Sequence, residues 1–185
     1  MYTLTQVTGG RGKSKTGDDF SFIELGPLGS KDGHKWDEKG CNRIVQIFIS
    51  HEDDNIRSIQ FQYVENGTLV MSDRHGDNDN GGCKFDVVEL NYPAEYITWI
   101  SGYTTGGSYD NCDLSSITFG TNIGKYGPFG QFMEDDREFC FRLGKDNRQF
   151  GGFHGTANEY KVKSIGVYLK PITTLDYSSN ENLGE

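Results

Sequence analysis

An all-β fold of three repeated antiparallel units with pseudo-threefold symmetry is predicted by three features of the sequence. These are a composition rich in glycine and aromatics, a succession of short apolar or alternating runs, and a Ser-Ile motif that recurs three times in one frame. At 185 residues the chain has room for one domain with tails and for a sizeable core. Its 25 glycines against 4 prolines, with 10 tyrosines and 12 phenylalanines, suit many short strands. The turns between them need positive φ, which glycine adopts without a steric cost, and aromatics pack well on pleated surfaces.

Taken in order, the runs at 44–50, 56–64, 68–71, 85–90, 96–103, 114–120, 139–143 and 162–169 alternate or run apolar, with Gly, Asp and Asn between them. No window sustains the 3.6-residue stripe that a helix needs. The repeat is carried by Arg57-Ser58-Ile59-Gln60-Phe61, Ser115-Ser116-Ile117-Thr118-Phe119 and Lys163-Ser164-Ile165-Gly166-Val167. Each copy follows another strand, at 44–49, 96–102 and 150–155, so a strand pair recurs three times. Residues 1–21, with Arg11, Lys13 and Lys15 among glycines, read as a flexible arm that holds at most a short strand at 2–7. Residues 22–171 read as the folded domain and 172–185 as a polar tail.

Charge and motif spacing exclude several functions. A formal net charge of -9 leaves no basic footprint for phosphates, so neither nucleic acid nor an anionic membrane is an expected partner. No apolar run is long enough to span a bilayer and no secretory leader is visible, which makes a cytoplasmic or nucleocytoplasmic home the expectation. Cys41, Cys83, Cys112 and Cys140 form no CxxC pair and are expected to be buried or idle thiols. His34, His51, His75 and His154 lack paired spacing, so no zinc site is expected. Asp73, Asp77, Asp79 and Asn80 hint at a calcium loop, but counting from Asp77 puts Gly81 fifth and Val88 twelfth, where ligands are required. Gly12-Lys13-Ser14 lacks both the glycine spacing and the following helix of a phosphate loop. No nucleophile motif is present, and neither catalysis nor a cofactor is expected.

Several stretches resemble the jacalin-related lectins. Leu25-Gly26-Pro27-Leu28-Gly29 with Gly33-His34-Lys35-Trp36-Asp37 resembles that family's glycine-rich first loop leading to a Trp-Asp pair. Leu90-Asn91-Tyr92-Pro93-Ala94-Glu95-Tyr96-Ile97 resembles its strand after a proline turn, and Tyr126-Gly127-Pro128-Phe129-Gly130 its next signature. Gly151-Gly152-Phe153-His154-Gly155 and Ile165-Gly166-Val167-Tyr168-Leu169-Lys170-Pro171 resemble the close. Ser72-Asp73-Arg74-His75-Gly76, followed by Phe85-Asp86-Val87-Val88-Glu89-Leu90, is similar to a plant subgroup associated with restricting virus movement. The resemblance implies a β-prism I of three antiparallel Greek-key sheets, a mannose- or glucose-type glycan as ligand, a role in plant defence, and outer strands through which two copies can pair.

In that family the sugar lies between the glycine-rich loop and a loop reading Gly, three variable residues, then Asp. Transferred by position, Gly33 stands for the first-loop glycine, or is an ordinary turn glycine. The second loop here is one residue longer and places Lys163 where Asp is expected; the repeat-equivalent positions, Arg57 and Ser115, also lack a carboxylate. An ammonium donates hydrogen bonds but cannot accept the protons of sugar hydroxyls. Sugar recognition is therefore expected to be weakened or altered. Compensation could come from Asn158, Glu159 or the backbone amides of Tyr160 and Lys161. Tyr160 is expected to pack beneath the loop, with stacking on a sugar face the alternative, and Tyr109 and Asn111 could form a rim. The other reading is a prism that serves as a scaffold for protein partners in antiviral or stress defence, without sugar binding.

Overall fold

A computed structural model describes residues 22–41, 43–78, 83–106, 112–143 and 150–171. The expected arm (1–21) and tail (172–185) lie outside the described residues, as do Tyr109 and Asn111. Those described form thirteen strands and no helix: β1 (Ile23–Gly29), β2 (His34–Lys39), β3 (Ile44–His51), β4 (Ile56–Glu65), β5 (Thr68–Met71), β6 (His75–Gly76), β7 (Lys84–Glu89), β8 (Ile97–Thr104), β9 (Leu114–Thr121), β10 (Lys125–Gly130), β11 (Arg137–Arg142), β12 (Gly152–Ala157) and β13 (Val162–Leu169).

They pair antiparallel into three sheets, ordered β1-β13-β12-β2, β5-β4-β3-β7 with β6 also on β4, and β10-β9-β8-β11. In each sheet a hairpin occupies the middle, and the strand that closes the Greek key returns beside its start. The first sheet joins the first two strands of the chain to the last two, so its long-range pairs tie both ends of the domain together.

The Ser-Ile repeat marks the threefold relation. Ser58, Ser116 and Ser164 are all buried and face Gly76, Gly130 and Gly29 across their ladders. Those glycines have φ of 101°, 74° and 119°, and a Cβ on each would come within 2.2, 2.2 and 2.3 Å of the carbonyl oxygens of Arg57, Ser115 and Lys163. No other side chain fits at this recurring close approach. Just before it, the ladders of β1 and β10 shift register, between Leu25 and Leu28 and between Tyr126 and Phe129. Gly26-Pro27 and Gly127-Pro128 occupy these shifts, where the missing proline N–H breaks no ladder bond.

The stretch 25–29, expected as part of a loop, is therefore strand, and β2, β6 and β10 are additional to the strands expected from periodicity. The reason is physical: bulges interrupt the alternation of β1 and β10, while β2 hides its inward face behind a charged residue. Trp36 and Glu38 point inward there, between exposed Lys35, Asp37 and Lys39.

Around the axis the core is aromatic. Phe61 stacks on Phe153 with centroids 5.2 Å apart, and Phe119 meets Phe153 edge-on at 6.4 Å. All three side chains are fully buried, each contributing up to about 3 kcal/mol. Ile47, Ile49, Ile59, Ile100, Ile117 and Ile165 fill the layers above and below. Among the described residues, two clefts of ligand size open at seams between sheets.

Candidate functional site

Two short turns of the first sheet lie side by side at one end of the prism. One is residues 30–33, between β1 and β2; the other is 158–161, between β12 and β13. Ala157 pairs with His34, and Thr156 fastens the turns: its Oγ1 donates to the carbonyl of Ser30 at 2.6 Å and lies 2.6 Å from Ser164 Oγ. Gly33 has φ of 108°, and a Cβ there would stand 2.5 Å from the Ala157 carbonyl oxygen. The glycine is required by contact between the two turns, so it does bring them together.

The second turn is closed on itself. The Asn158 amide donates to the Lys161 carbonyl at 3.0 Å, and its side-chain Oδ1 accepts from the amides of both Tyr160 and Lys161, each at 3.0 Å. These are the two amides expected as compensating sugar donors, and the asparagine has consumed them. An Asx-type turn of this kind is the ordinary way such a side chain stabilises a tight loop. Tyr160 corrects a second expectation: rather than packing beneath the loop it stands 60% exposed, beside an exposed Glu159. A hydrogen bond to the Glu159 carboxylate pushes its phenol pKa up.

Lys163 is not a free donor. Its Nζ lies 2.6 Å from Asp113 Oδ1, while Lys161 Nζ lies 2.7 Å from Asp113 Oδ2. The lysine side chains are 12% and 32% exposed, and that of Asp113 is 15% exposed. Asp113 belongs to the β8–β9 connection of the third sheet, so the pair joins two sheets. The equivalent positions are also matched with acids. Arg57 hydrogen-bonds Asp77, and Ser115 Oγ donates to Asp136 Oδ2 at 2.8 Å. Where the family pattern has an acceptor, this chain presents a donor in all three units, each met by a carboxylate. Asp77, the first residue of the apparent calcium loop, is thereby engaged, while Asp79 and Asn80 lie outside the described residues.

Beside the second turn, a cleft of about 530 Å³ opens between the first and second sheets, lined by His34, Trp36, Arg74, His75, Asn158 and Tyr160 among others. Trp36 stacks on His75 at 4.5 Å with 14° between planes, and His75 Nε2 lies 2.8 Å from Glu38 Oε1. Glu38 also accepts from Cys41 Sγ at 3.4 Å. Burial pushes the Cys41 thiol up to about 11. By the threefold relation the corresponding seam between the first and third sheets holds about 380 Å³, lined by Pro27, Leu28, Lys31, Arg137 and Phe139 among others. The third seam is bridged: the Gly130 amide donates to His51 Nδ1 at 3.1 Å, and the Gln131 amide to the Asp53 carbonyl at 2.6 Å.

The order of the sheets, the Gly33 contact and the shared turn geometry invite comparison with known proteins. The profile of the Jacalin-like lectin domain matches residues 25–168. The chain belongs to the jacalin-like lectin family. Protein RESTRICTED TEV MOVEMENT 1 of Arabidopsis thaliana is 45% identical over 169 residues, covering 88% of this chain and 95% of that protein. Jacalin-related lectin 2 of the same plant is 42% identical over 162 residues, covering 80% and 86%. Among solved structures, a mannose-specific jacalin-related lectin from Morus nigra in complex with mannose has a TM-score of 0.71 at 28% identity, covering 85% of this chain and all of that one. The jacalin-like family is one of non-enzymatic binding proteins.

Sequence reasoning did not single out Asp113 or Glu38, and it quoted Arg74 and His75 for the subgroup resemblance without placing them beside the site. Asp113 had no local pattern to mark it, since its lysine partners lie 48 and 50 residues further along the chain. The lack of paired histidine spacing set His75 aside, although its partner Glu38 lies 37 residues earlier.

Proposed function

We propose that this jacalin-like lectin domain binds glycan weakly and with altered selectivity, at the junction of the 30–33 and 158–161 turns, in a plant defence role carried out in the cytoplasm or nucleocytoplasm. The observation that carries this reading is the Lys163–Asp113 pair: the position that should accept sugar hydroxyls is a lysine already neutralised by another loop. With the amides of Tyr160 and Lys161 turned onto Asn158, the ordinary mannose contacts are reduced on both counts. A charge-assisted hydrogen bond contributes on the order of 1.5–3 kcal/mol, and at millimolar affinity the whole binding energy is only about 4 kcal/mol. Glu159 and the exposed ring of Tyr160 remain to face a sugar, and the neighbouring cleft extends the surface. The defence role is supported by the similarity to a relative named for restricting TEV movement. Calorimetric titration with mannose and glucose tests the proposal: saturable binding in the millimolar range is expected, and silence towards every hexose would sink it.

A second reading, a scaffold for protein partners, is favoured by one separate observation. The outer face of the second sheet carries exposed Leu69, Met71, Phe85 and Val87, with Phe48 opposite Val87 and Val64 opposite Leu69. Partners that stay bound in pull-downs under excess mannose would support this reading, and their release by the sugar would count against it.

A further inference from the structure

We propose that Asp113 is the hydroxyl-accepting carboxylate of the first sheet's glycan site, delivered from the third sheet in place of the acid that position 163 lacks. The inference rests on the glycan-binding reading above. Three observations lead to it. The end of the Lys163 side chain touches the Asp113 carboxylate at 2.6 Å, so the negative charge missing from position 163 is restored immediately beyond the lysine. Lys161 reaches the other oxygen from the same turn, and together the two ammonium groups hold the acid between the sugar loop and the β8–β9 connection. A carboxylate has about four acceptor directions. Two lysines fill at most half of them; Oδ1 is buried against Lys163 and, among the described residues, receives no well-directed hydrogen bond, so the side of the carboxylate open to a ligand is Oδ2, beside the more exposed Lys161.

The other two units make the arrangement distinctive. Asp77 and Asp136 come from the turns that follow β6 and β10, the counterparts of the 30–33 turn, so there donor and acid belong to one sheet. Asp136 is further occupied by the Met133 amide at 3.1 Å. Asp113 alone of the three crosses from a different sheet, and it meets the sheet whose turns are fastened by Thr156 and Gly33. Lys161, the more exposed of the two lysines, is the group a vicinal diol would displace as it reaches Oδ2. The ligand class is a neutral hexose offering two adjacent hydroxyls, with ammonium groups left to donate to its oxygens.

The test is titration of the full chain with methyl α-mannoside, followed by amide chemical-shift changes, with thermal melting to verify folding. Asp113→Asn keeps the shape and loses the charge; it is expected to weaken binding at least tenfold. Asp113→Asn with Lys163→Met restores charge balance, since one cation is removed together with the acid and neither partner is left as an unpaired buried charge. It is expected to stay as weak as Asp113→Asn, because the acceptor is still missing. Asp113→Asn with Lys163→Asp moves the acceptor to position 163 and is expected to recover binding. If the Lys163→Met double variant binds like the parent, Asp113 merely neutralises lysines and the proposal is overturned. Parent-like binding by Asp113→Asn alone overturns it too. Should that variant fail to fold, the two double variants decide the matter. A parent protein silent to the mannoside refutes the glycan-binding reading itself, and this proposal with it.

Discussion

Replacing Lys163 with Asp perturbs the site at the point where its polarity departs from the family pattern. The substitution removes a cation 2.6 Å from Asp113 and brings a second carboxylate to the same region, leaving Lys161 at 2.7 Å as the remaining counterion. Breaking a fully buried pair costs about 3–5 kcal/mol. Here the side chains keep 12% and 15% exposure and one lysine remains, so about 2–3 kcal/mol is expected. In a protein of this size that lowers Tm by roughly 4–12 °C. Adding Asp113→Asn removes the like-charge contact and should return most of the loss. The regained acceptor, worth on the order of 1.5–3 kcal/mol, should at the same time tighten mannoside binding by about tenfold or more in the single variant. Denaturant unfolding gives the first quantity and calorimetry the second. A folded Lys163→Asp variant with unchanged stability would refute the ion pair. One with unchanged mannoside affinity would refute the claim that position 163 faces the ligand.

Three further outcomes follow from the geometry. Asn158→Ala frees the Tyr160 and Lys161 amides; stability should fall by about 1 kcal/mol, and their hydrogen exchange should accelerate while that of the β13 core amides does not. Gly76→Ala forces a Cβ to 2.2 Å from the Arg57 carbonyl at φ of 101°, so unfolding measurements should show a loss of about 2–4 kcal/mol, against about 1–2 kcal/mol for Gly67→Ala, which has φ of 79° but whose Cβ would meet nothing within 4 Å. In thiol labelling at pH 8, exposed Cys140 should react at once and buried Cys41 only on unfolding. With its pKa near 11, Cys41 is thiolate in about one molecule in a thousand at that pH. Rapid modification of Cys41 in the native state would contradict its burial.

The hairpins at the centre of each sheet were legible because burial on one face writes alternation directly into the chain. The Ser-Ile repeat disclosed the symmetry because a buried serine and an adjacent core isoleucine are needed at each close glycine contact. Of the outer strands, β5, β7 and β11 were legible too, whereas β1, β2, β6 and β10 were not. Gly26-Pro27 and Gly127-Pro128 break the period at bulges, and Glu38 occupies an inward position where its carboxylate is met by Cys41 and by His75, the latter distant in sequence. At the site, position 163 was legible as a lysine in place of an acid, and its consequence for hydroxyl acceptance followed from chemistry. That the lysine is paired with Asp113 from another sheet was not, because the contact depends on how the sheets close around the axis. Nor could the sequence reveal that Asn158 takes both neighbouring amides, since the same residue could equally have faced a ligand.

The central claim is that the family's sugar site persists here with its acceptor lost from position 163 and its loop amides internally satisfied. Titration of the unmodified full chain with methyl α-mannoside, read by calorimetry and amide shifts together, tests it most directly. Saturable binding in the millimolar range, with shifts centred on residues 30–33 and 158–163, is the predicted result. Micromolar affinity, or shifts centred elsewhere on the prism, would contradict it.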